Sequence, residues 1–295
     1  MPSTRLSSKP PEPSAHAKRS ATKRTEGATA LTAAGEIQAL SGDPNFMTSL
    51  ARGLTVIRAF SQHRNRQSIA QLSHRTGIPR AAVRRCLYTL QKLGYVAVDE
   101  GRAYALRPHI LALGHAYLSS APLATSAQPL LNQVSEAIHE SCSMAVLHGE
   151  DILYVARSSA STRIMSIDLG IGSRLPAFCT SMGRVLLAGL APNELGLYLR
   201  RVKFVPYTNR TIVTRDQLKA ALDIARAAGL AVVDQELEIG LRSIAVPVAD
   251  RDGRVAAAIN VSVQAGRVSL AQMETTFLSP LRAAARELGM LLSAG

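Results

Sequence analysis

The stretch "RAAVRRCLYTL" sets Arg80, Arg84 and Arg85 on one short segment, with almost no carboxylate nearby to neutralise them. A guanidinium presents a rigid fork of N–H donors that fits two acceptors at once, on a phosphate or on the O6/N7 edge of guanine. One bidentate guanine contact contributes about 1–3 kcal/mol of base discrimination. At helical spacing Arg80, Arg84 and Tyr88 share a face at i, i+4 and i+8, with Arg85 and Thr89 beside them. Tyr88 and Thr89 can reach phosphates or a base. Arg52 and Arg75, farther off along the chain, read as phosphate contacts that position rather than specify. The alternative is a solvated face that touches nothing specific.

The net charge of +13 is concentrated. Residues 46–120 carry 11 Lys and Arg against 2 Asp and Glu, whereas residues 1–45 and 121–295 each come out at +2. A positive field gathered in one block suits a polyanion such as double-stranded DNA.

The elements that must position these groups follow from the pattern. Residues 1–45 are rich in Pro, Ser, Thr, Ala, Lys and Arg without an apolar period, and read as a disordered basic tail. In "SLARGLTVIRAF" Ser49 is a candidate N-cap, and Leu50, Leu54, Ile57 and Phe60 fall at helical spacing. Ser68 can cap a second helix with Ile69 and Leu72 inward, and Gly77 supplies its left-handed end. Pro79 opens a third helix whose buried stripe is Val83, Cys86, Leu87, Leu90 and Leu93, with Gly94 as its stop. "YVAVDEGRAYAL" then reads as a small hairpin with Arg102 near its tip, placed to reach the DNA backbone or minor groove. Three helices and a hairpin make a winged helix-turn-helix over residues 46–107.

Residues 108–122 read as a connecting or dimerising helix bearing Ile110, Leu113, Tyr117 and Leu118. From 123 to 295 the pattern is α/β. It predicts a helix at 126–141, an antiparallel pair in "SCSMAVLHGEDILYVARS", a strand "RIMSIDL" and a Gly-rich loop "GIGSRLP". Helices follow at 180–190, 192–200 and 214–228, then the strands "LAVVDQE", "SIAVPVAD" and "VAAAINVSVQ", and a terminal helix at 270–292. The fold class is therefore α+β.

Other chemistries find little support. There is no G-x-S-x-G elbow, H-E-x-x-H helix or P-loop, and "GIGSRLP" lacks the third glycine of a dinucleotide fingerprint. The seven His form no acid–base pair or ligand set, so neither a metal nor a cofactor is expected. Cys86, Cys142 and Cys179 are odd in number and widely spaced, which fits a reduced, cytoplasmic setting. No apolar run approaches the roughly 20 residues that span a bilayer.

The ordered set "LARGLTVIRAF", "IAQLSHRTGIPRAAVRRCLYTLQKLGYV", "LPAFCTSMGRVLLAG", "VVDQELEIGLRSIAVPV" and "AAAINVSV" resembles the IclR-type transcriptional regulators over about 250 residues. "TRIMSIDLGIGSRLPAFCTSMGRVLLA" and "VDQELEIGLRSIA" look most like the branch that controls aromatic-acid catabolism through the β-ketoadipate pathway. The resemblance implies a GAF-like C-terminal domain with an antiparallel sheet, a small organic acid effector, a dimer or dimer of dimers, and RNA polymerase as a further partner. It assigns the effector site to Ile167, Leu175, Ser181, Met182, Asp234, Leu241, Ser243, Asn260 and Ser262. Val233 also matches the pocket, at a position where the family member aligned most directly carries an acid, one register step before Asp234. Arg174, Arg184 and Arg242 are candidates to clamp a carboxylate, and the helix starting near Thr180 offers free N–H groups to one.

Two other readings remain open on the residues alone. Cys142 or Cys179 could serve a redox sensor or enzyme in the C-terminal domain. A ligand-independent nucleoid-type binder would show weak sequence preference and a steep salt slope.

Overall fold

The computed structural model describes residues 34–35, 37–60, 65–100, 102–120, 122–158 and 169–292. Two compact units divide the chain, residues 1–115 and 116–295.

In the first unit, helices α1 (Thr48–Arg58), α2 (Ile69–Thr76) and α3 (Arg80–Lys92) precede a hairpin of β1 (Val96–Val98) and β2 (Tyr104–Leu106). Ser68 starts α2 through a complete capping box: its hydroxyl accepts from Gln71 N–H, and the Gln71 side chain accepts from Ser68 N–H. Gly77 ends α2 at φ +71°, a left-handed conformation that a side chain would strain, and this sets the tight turn into α3. Val56, Leu72, Ile78, Val83, Leu87, Leu90 and Val96 make the core.

Several expectations shift here. Order begins before residue 46, since Ser41 N–H donates to Gln38 O and Asp43 N–H to Leu40 O. Helix α1 starts at Thr48 with Met47 before it, so Ser49 lies inside the helix rather than capping it. Leu50, Leu54 and Leu93 are exposed, because they line a groove between α1 and α3 instead of turning into the core around Val56, Leu72 and Leu87.

Residues 108–110 form a 3₁₀ turn that leads into α4 (Leu111–Ser120), none of whose residues is buried. Helix α5 (Pro122–Ile138) begins four residues before the expected start and runs through Pro129. Proline at its first position costs no hydrogen bond, which lets the helix open there.

The second unit is built on a six-stranded, wholly antiparallel sheet in the order β5-β4-β3-β8-β7-β6. The strands are β3 (Cys142–His148), β4 (Asp151–Arg157), β5 (Arg174–Pro176), β6 (Ala231–Asp234), β7 (Leu241–Ala249) and β8 (Val255–Gln264). Arg174–Pro176, expected as loop, pairs with β4 as an edge strand. The expected strand "RIMSIDL" falls almost wholly outside the described residues.

Alternation along the strands sorts side chains to two cores. Ile244, Val246 and Val248 of β7 and Ala257, Ile259, Val261 and Val263 of β8 pack against α5 and the long α9 (Leu270–Leu292). The opposite parity faces α6 (Ser181–Ala188), α7 (Pro192–Arg201) and α8 (Arg215–Ala228), where Ala145, Ala245 and Ala258 line the sheet. Small residues at the sheet centre let α6 lie close. A Cβ added to Gly183 would stand 2.1 Å from the O atom of Ala177, in the 3₁₀ turn just before α6, so only glycine fits against that turn. Among the described residues no helix is long and apolar enough to cross a membrane.

Candidate functional site

The outer face of α3 follows from its core face. Val83, Leu87 and Leu90 are turned inward, which leaves Arg80, Arg84, Arg85, Tyr88 and Thr89 all exposed. The Lys92 ammonium lies 5.5 Å from the Tyr88 ring centroid, extending the cationic strip by one further group. Thr89 donates its hydroxyl to Arg85 O at 3.1 Å.

The structure divides the other predicted DNA residues into two neighbourhoods. Arg52 joins Arg85 and Thr89 around a groove of about 420 Å3 between α1 and α3, bordered by Leu50, Leu54 and Leu93. Arg75 and Arg80 instead share a polar recess with Arg66, Gln71 and His74. One Arg75 nitrogen, Nη1, is buried there without a protein partner. Sequence reasoning missed Arg66 and His74, although both lie in the same basic block. Arg66 pairs with Asp99 at 2.6 Å, and Asp99 also accepts from Ala103 N–H, so one carboxylate ties the hairpin turn to the segment before α2. Arg102 sits exposed in that turn at φ +59°.

In the second unit a small cavity lies between the sheet and the start of α6. Its walls are Tyr154, Leu175, Cys179, Thr180, Ser181, Met182, Val233, Leu237, Leu241, Ser243, Asn260 and Ser262. Seven of the assigned effector residues thus meet around one space: Leu175, Ser181, Met182, Leu241, Ser243, Asn260 and Ser262. Ser243 and Ser262 are direct cross-strand partners, and Asn260 donates its side-chain amide to Ser262 Oγ at 3.0 Å. The cavity encloses about 20 Å3, on the scale of one water molecule.

The start of α6 supplies its polar end. Thr180 caps the helix by accepting from Gly183 N–H, while the N–H groups of Ser181 and Met182, in the first turn, have no intrahelical acceptor. The Ser181 hydroxyl is buried with no protein partner. Burying a hydroxyl without a hydrogen bond costs about 1–3 kcal/mol, so this end of the cavity is a polar spot able to receive an acceptor.

Asp234 does not belong to this set. It shares strand parity with Val232 on the other face of β6, whereas Val233 faces the cavity. There Asp234 pairs with Arg242 at 2.7 Å and with Arg210 at 2.5 Å. Burial pushes its carboxyl upward, but the hydrogen bonds from Arg242 and Gln235 and the charges of Arg242 and Arg210 win, and it is held below the usual range. Ile167 lies outside the described residues.

The three arginines considered as clamps all have carboxylate partners. Arg174 pairs with Asp151 at 2.9 Å, Arg242 with Asp234, and the buried Arg184 with the equally buried Glu236 at 2.6 Å. The polar groups left on the described wall of the cavity are therefore N–H and O–H groups and the Asn260 amide rather than a guanidinium. Tyr154 and Leu237 are cavity residues that the sequence reading did not name, and Cys179, named there only as a redox candidate, also lines the cavity. The cysteines are poor redox candidates, since burial pushes Cys179 upward and Cys142 to about 12, far from a thiolate near neutral pH.

Comparison with known proteins places these features in context. The model for the IclR helix-turn-helix domain matches residues 49–100, and that for the bacterial transcriptional regulator IclR C-terminal domain matches residues 115–290. The chain is 57% identical over 252 residues to the Pca regulon regulatory protein of Pseudomonas putida, covering 85% of this chain and 86% of that one. Its fold matches a solved protein of Rhodococcus sp. RHA1 with a TM-score of 0.73 and 46% identity, over 84% of this chain and 98% of that one. It also matches the inducer-binding domain of a double mutant of the transcription factor PobR from Acinetobacter, solved with 3-hydroxybenzoic acid. That match has a TM-score of 0.53 and 30% identity, over 56% of this chain and 96% of that one.

Proposed function

The chain belongs to the IclR family of bacterial transcriptional regulators, and on that premise we propose that it governs aromatic-acid catabolic genes of the β-ketoadipate pathway in response to a small carboxylate. The α3 face carrying Arg80, Arg84 and Arg85 enters the major groove, Arg52 and Arg75 hold phosphates, and Arg102 reaches the backbone or minor groove. The effector, an aromatic acid or β-ketoadipate, occupies the cavity with its carboxylate at the start of α6 and its remaining oxygens on Ser243, Asn260 and Ser262. The pathway assignment draws on the similarity to the Pca regulon protein, and the ligand class on the hydroxybenzoate held by the PobR domain.

The observation that carries the reading is the buried, unpartnered Ser181 hydroxyl beside the first N–H groups of α6. Anion recognition at a helix start needs no ion pair, because the aligned peptide dipoles and free N–H groups supply the donors. The protein works in the cytoplasm as a homo-oligomer. Two copies bring two α3 helices to a pseudo-palindromic site, and exposed Leu50, Leu54 and Leu93, with Leu111, Leu113 and Tyr117 of α4, give apolar surface for that association. Regulation requires the acid to bind two arrangements of the protein unequally, with a coupling of about 1–3 kcal/mol typical.

Calorimetry of the full chain against protocatechuate, 4-hydroxybenzoate and β-ketoadipate tests this. One acid should bind saturably, and S181A should weaken it about tenfold or more. Absence of binding by all three would overturn the effector assignment.

A further inference from the structure

The six residues from Gln235 to Gly240 form a loop, here called the flap, that joins β6 to β7 beside the cavity. Its neck is shut where Gln235 N–H donates to Leu241 O at 2.8 Å and Gly240 N–H donates to the Gln235 side chain at 3.0 Å. Both ends stand at positive φ, +61° for Gln235 and +87° for Gly240. From the flap, Leu237 forms part of the cavity wall.

A dense set of polar ties holds this flap down. Glu236 Oε2 accepts from Arg184 Nη2 at 2.6 Å and from Ile212 N–H at 3.1 Å. Arg184 also donates Nε to Phe178 O, at the turn before α6. Thr211 donates its hydroxyl to Glu236 O at 2.6 Å, and Thr208 donates to Gln235 O at 2.8 Å. The flap is thus fastened both to α6, which offers the anion donors, and to the loop of residues 203–214. None of these four side chains lines the cavity, so none touches a ligand there.

Cavity size gives the ties a consequence. Pockets for drug-sized ligands run about 300–1,000 Å3, whereas this one encloses about 20 Å3. A wall must move before an organic acid enters. Sheet strands β7 and β8 are bonded on both sides along their length, whereas the flap between its neck residues is held down by bonds that involve the side chains of Arg184, Glu236, Thr208 and Thr211. We infer that Arg184, Glu236, Thr208 and Thr211 are positioning residues that latch the Gln235–Gly240 flap over the cavity, and that ligand entry proceeds by release of this latch. The inference rests on reading the cavity as the effector site. If only a small fraction of molecules has the flap open, the apparent affinity for an acid is reduced by that fraction. Loosening the latch then tightens binding, whereas damage to a merely structural tie weakens it.

Cys179 reports on flap opening without any ligand, because the residue lines the cavity and is fully buried. Cys142 is equally buried but belongs to the core on the opposite sheet face, so it reports on general loosening. The full chain is treated with iodoacetamide and each cysteine is followed by peptide mass spectrometry. The double variant T208V/T211V removes two ties without changing charge. It should speed labelling of Cys179 about tenfold and leave Cys142 unchanged, the fold-change expected if the open fraction rises tenfold. An unchanged Cys179 rate in T208V/T211V, or a parallel rise at Cys142, would overturn the latch. In a second arm, saturating protocatechuate, 4-hydroxybenzoate or β-ketoadipate should slow Cys179 labelling in the native chain. Failure of this arm alone overturns the effector reading, while the ligand-free arm still decides the latch.

Discussion

Gly183→Ala sets two effects of opposite sign against each other. Alanine is the better helix former by up to about 1 kcal/mol, so propensity alone makes the variant more stable. The added Cβ, however, would lie 2.1 Å from Ala177 O and 2.4 Å from Ala177 Cα, where ordinary contact begins at 3.4 Å. The backbone must give by more than 1 Å. Ala177 is not free to do so, because its N–H donates to Glu150 O at 3.1 Å and its carbonyl accepts from the Thr180 hydroxyl. Overpacking of this kind costs about 1–3 kcal/mol, and a lost buried hydrogen bond adds about 1. The net expectation is a loss of about 2 kcal/mol, a fall of about 1 M in the urea midpoint at an ordinary denaturant slope. Urea unfolding followed by far-ultraviolet circular dichroism measures it. Gly196→Ala on α7 is the control, since its new Cβ meets only Arg200 Nη1 at 3.8 Å, and it should gain a few tenths to 1 kcal/mol. A Gly183→Ala variant as stable as the native chain, or more so, would refute the reasoning about how closely α6 approaches its turn.

Other perturbations follow from the two sites. Replacing Arg75 with Ala should reduce the slope of log affinity against log salt by about 1 with little change in sequence preference, measured by fluorescence anisotropy on specific and scrambled duplexes. Arg84→Ala should cost about 1–3 kcal/mol on the specific duplex and less on the scrambled one. Asn260→Ala should weaken acid binding and lose the partner of Ser262 Oγ while leaving DNA affinity in the absence of acid unchanged, by calorimetry and anisotropy. Asp234 has a folded pKa below its ordinary 3.8, so its contribution to stability is full above that value and lost as pH falls through the folded one. The stability difference between the native chain and D234N should therefore hold at neutral pH and shrink below about pH 4 in urea titrations; a constant difference down to pH 2 would refute the ion-pair account.

Much of this architecture was legible in the residues because local signals agreed with the global fold. Ser68, Gly77 and Pro79 punctuate the helix-turn-helix by backbone rules that need no tertiary information. The alternation in β7 and β8 fixed which residues could meet around a cavity, and Ser243, Asn260 and Ser262 do meet there. Errors arose where neighbours decide. Leu50, Leu54 and Leu93 are apolar at helical spacing, yet they line an open groove rather than the core. Asp234 illustrates the one-residue sensitivity of strands: a single step along β6 moves a side chain from the cavity to the ion-pair face. Nothing local marked Leu237 or Glu236, whose roles depend on a flap folding back across residues distant in the chain. The arginines looked available as clamps because their partners Asp151, Glu236 and Asp234 come from other elements or adjacent strands.

The central claim is that one chain couples the guanidinium face of α3 to an acid-binding cavity in the other unit. Its most direct test is the anisotropy of a labelled duplex, taken from the control region of aromatic-acid catabolic genes, titrated with the full chain with and without the acid found by calorimetry. The account predicts an affinity shift of about 5–150-fold with the acid, abolished in S181A, and loss of specific binding in R80A/R84A/R85A. Equal affinity with and without a bound acid, or undiminished specific binding by the triple variant, would contradict it.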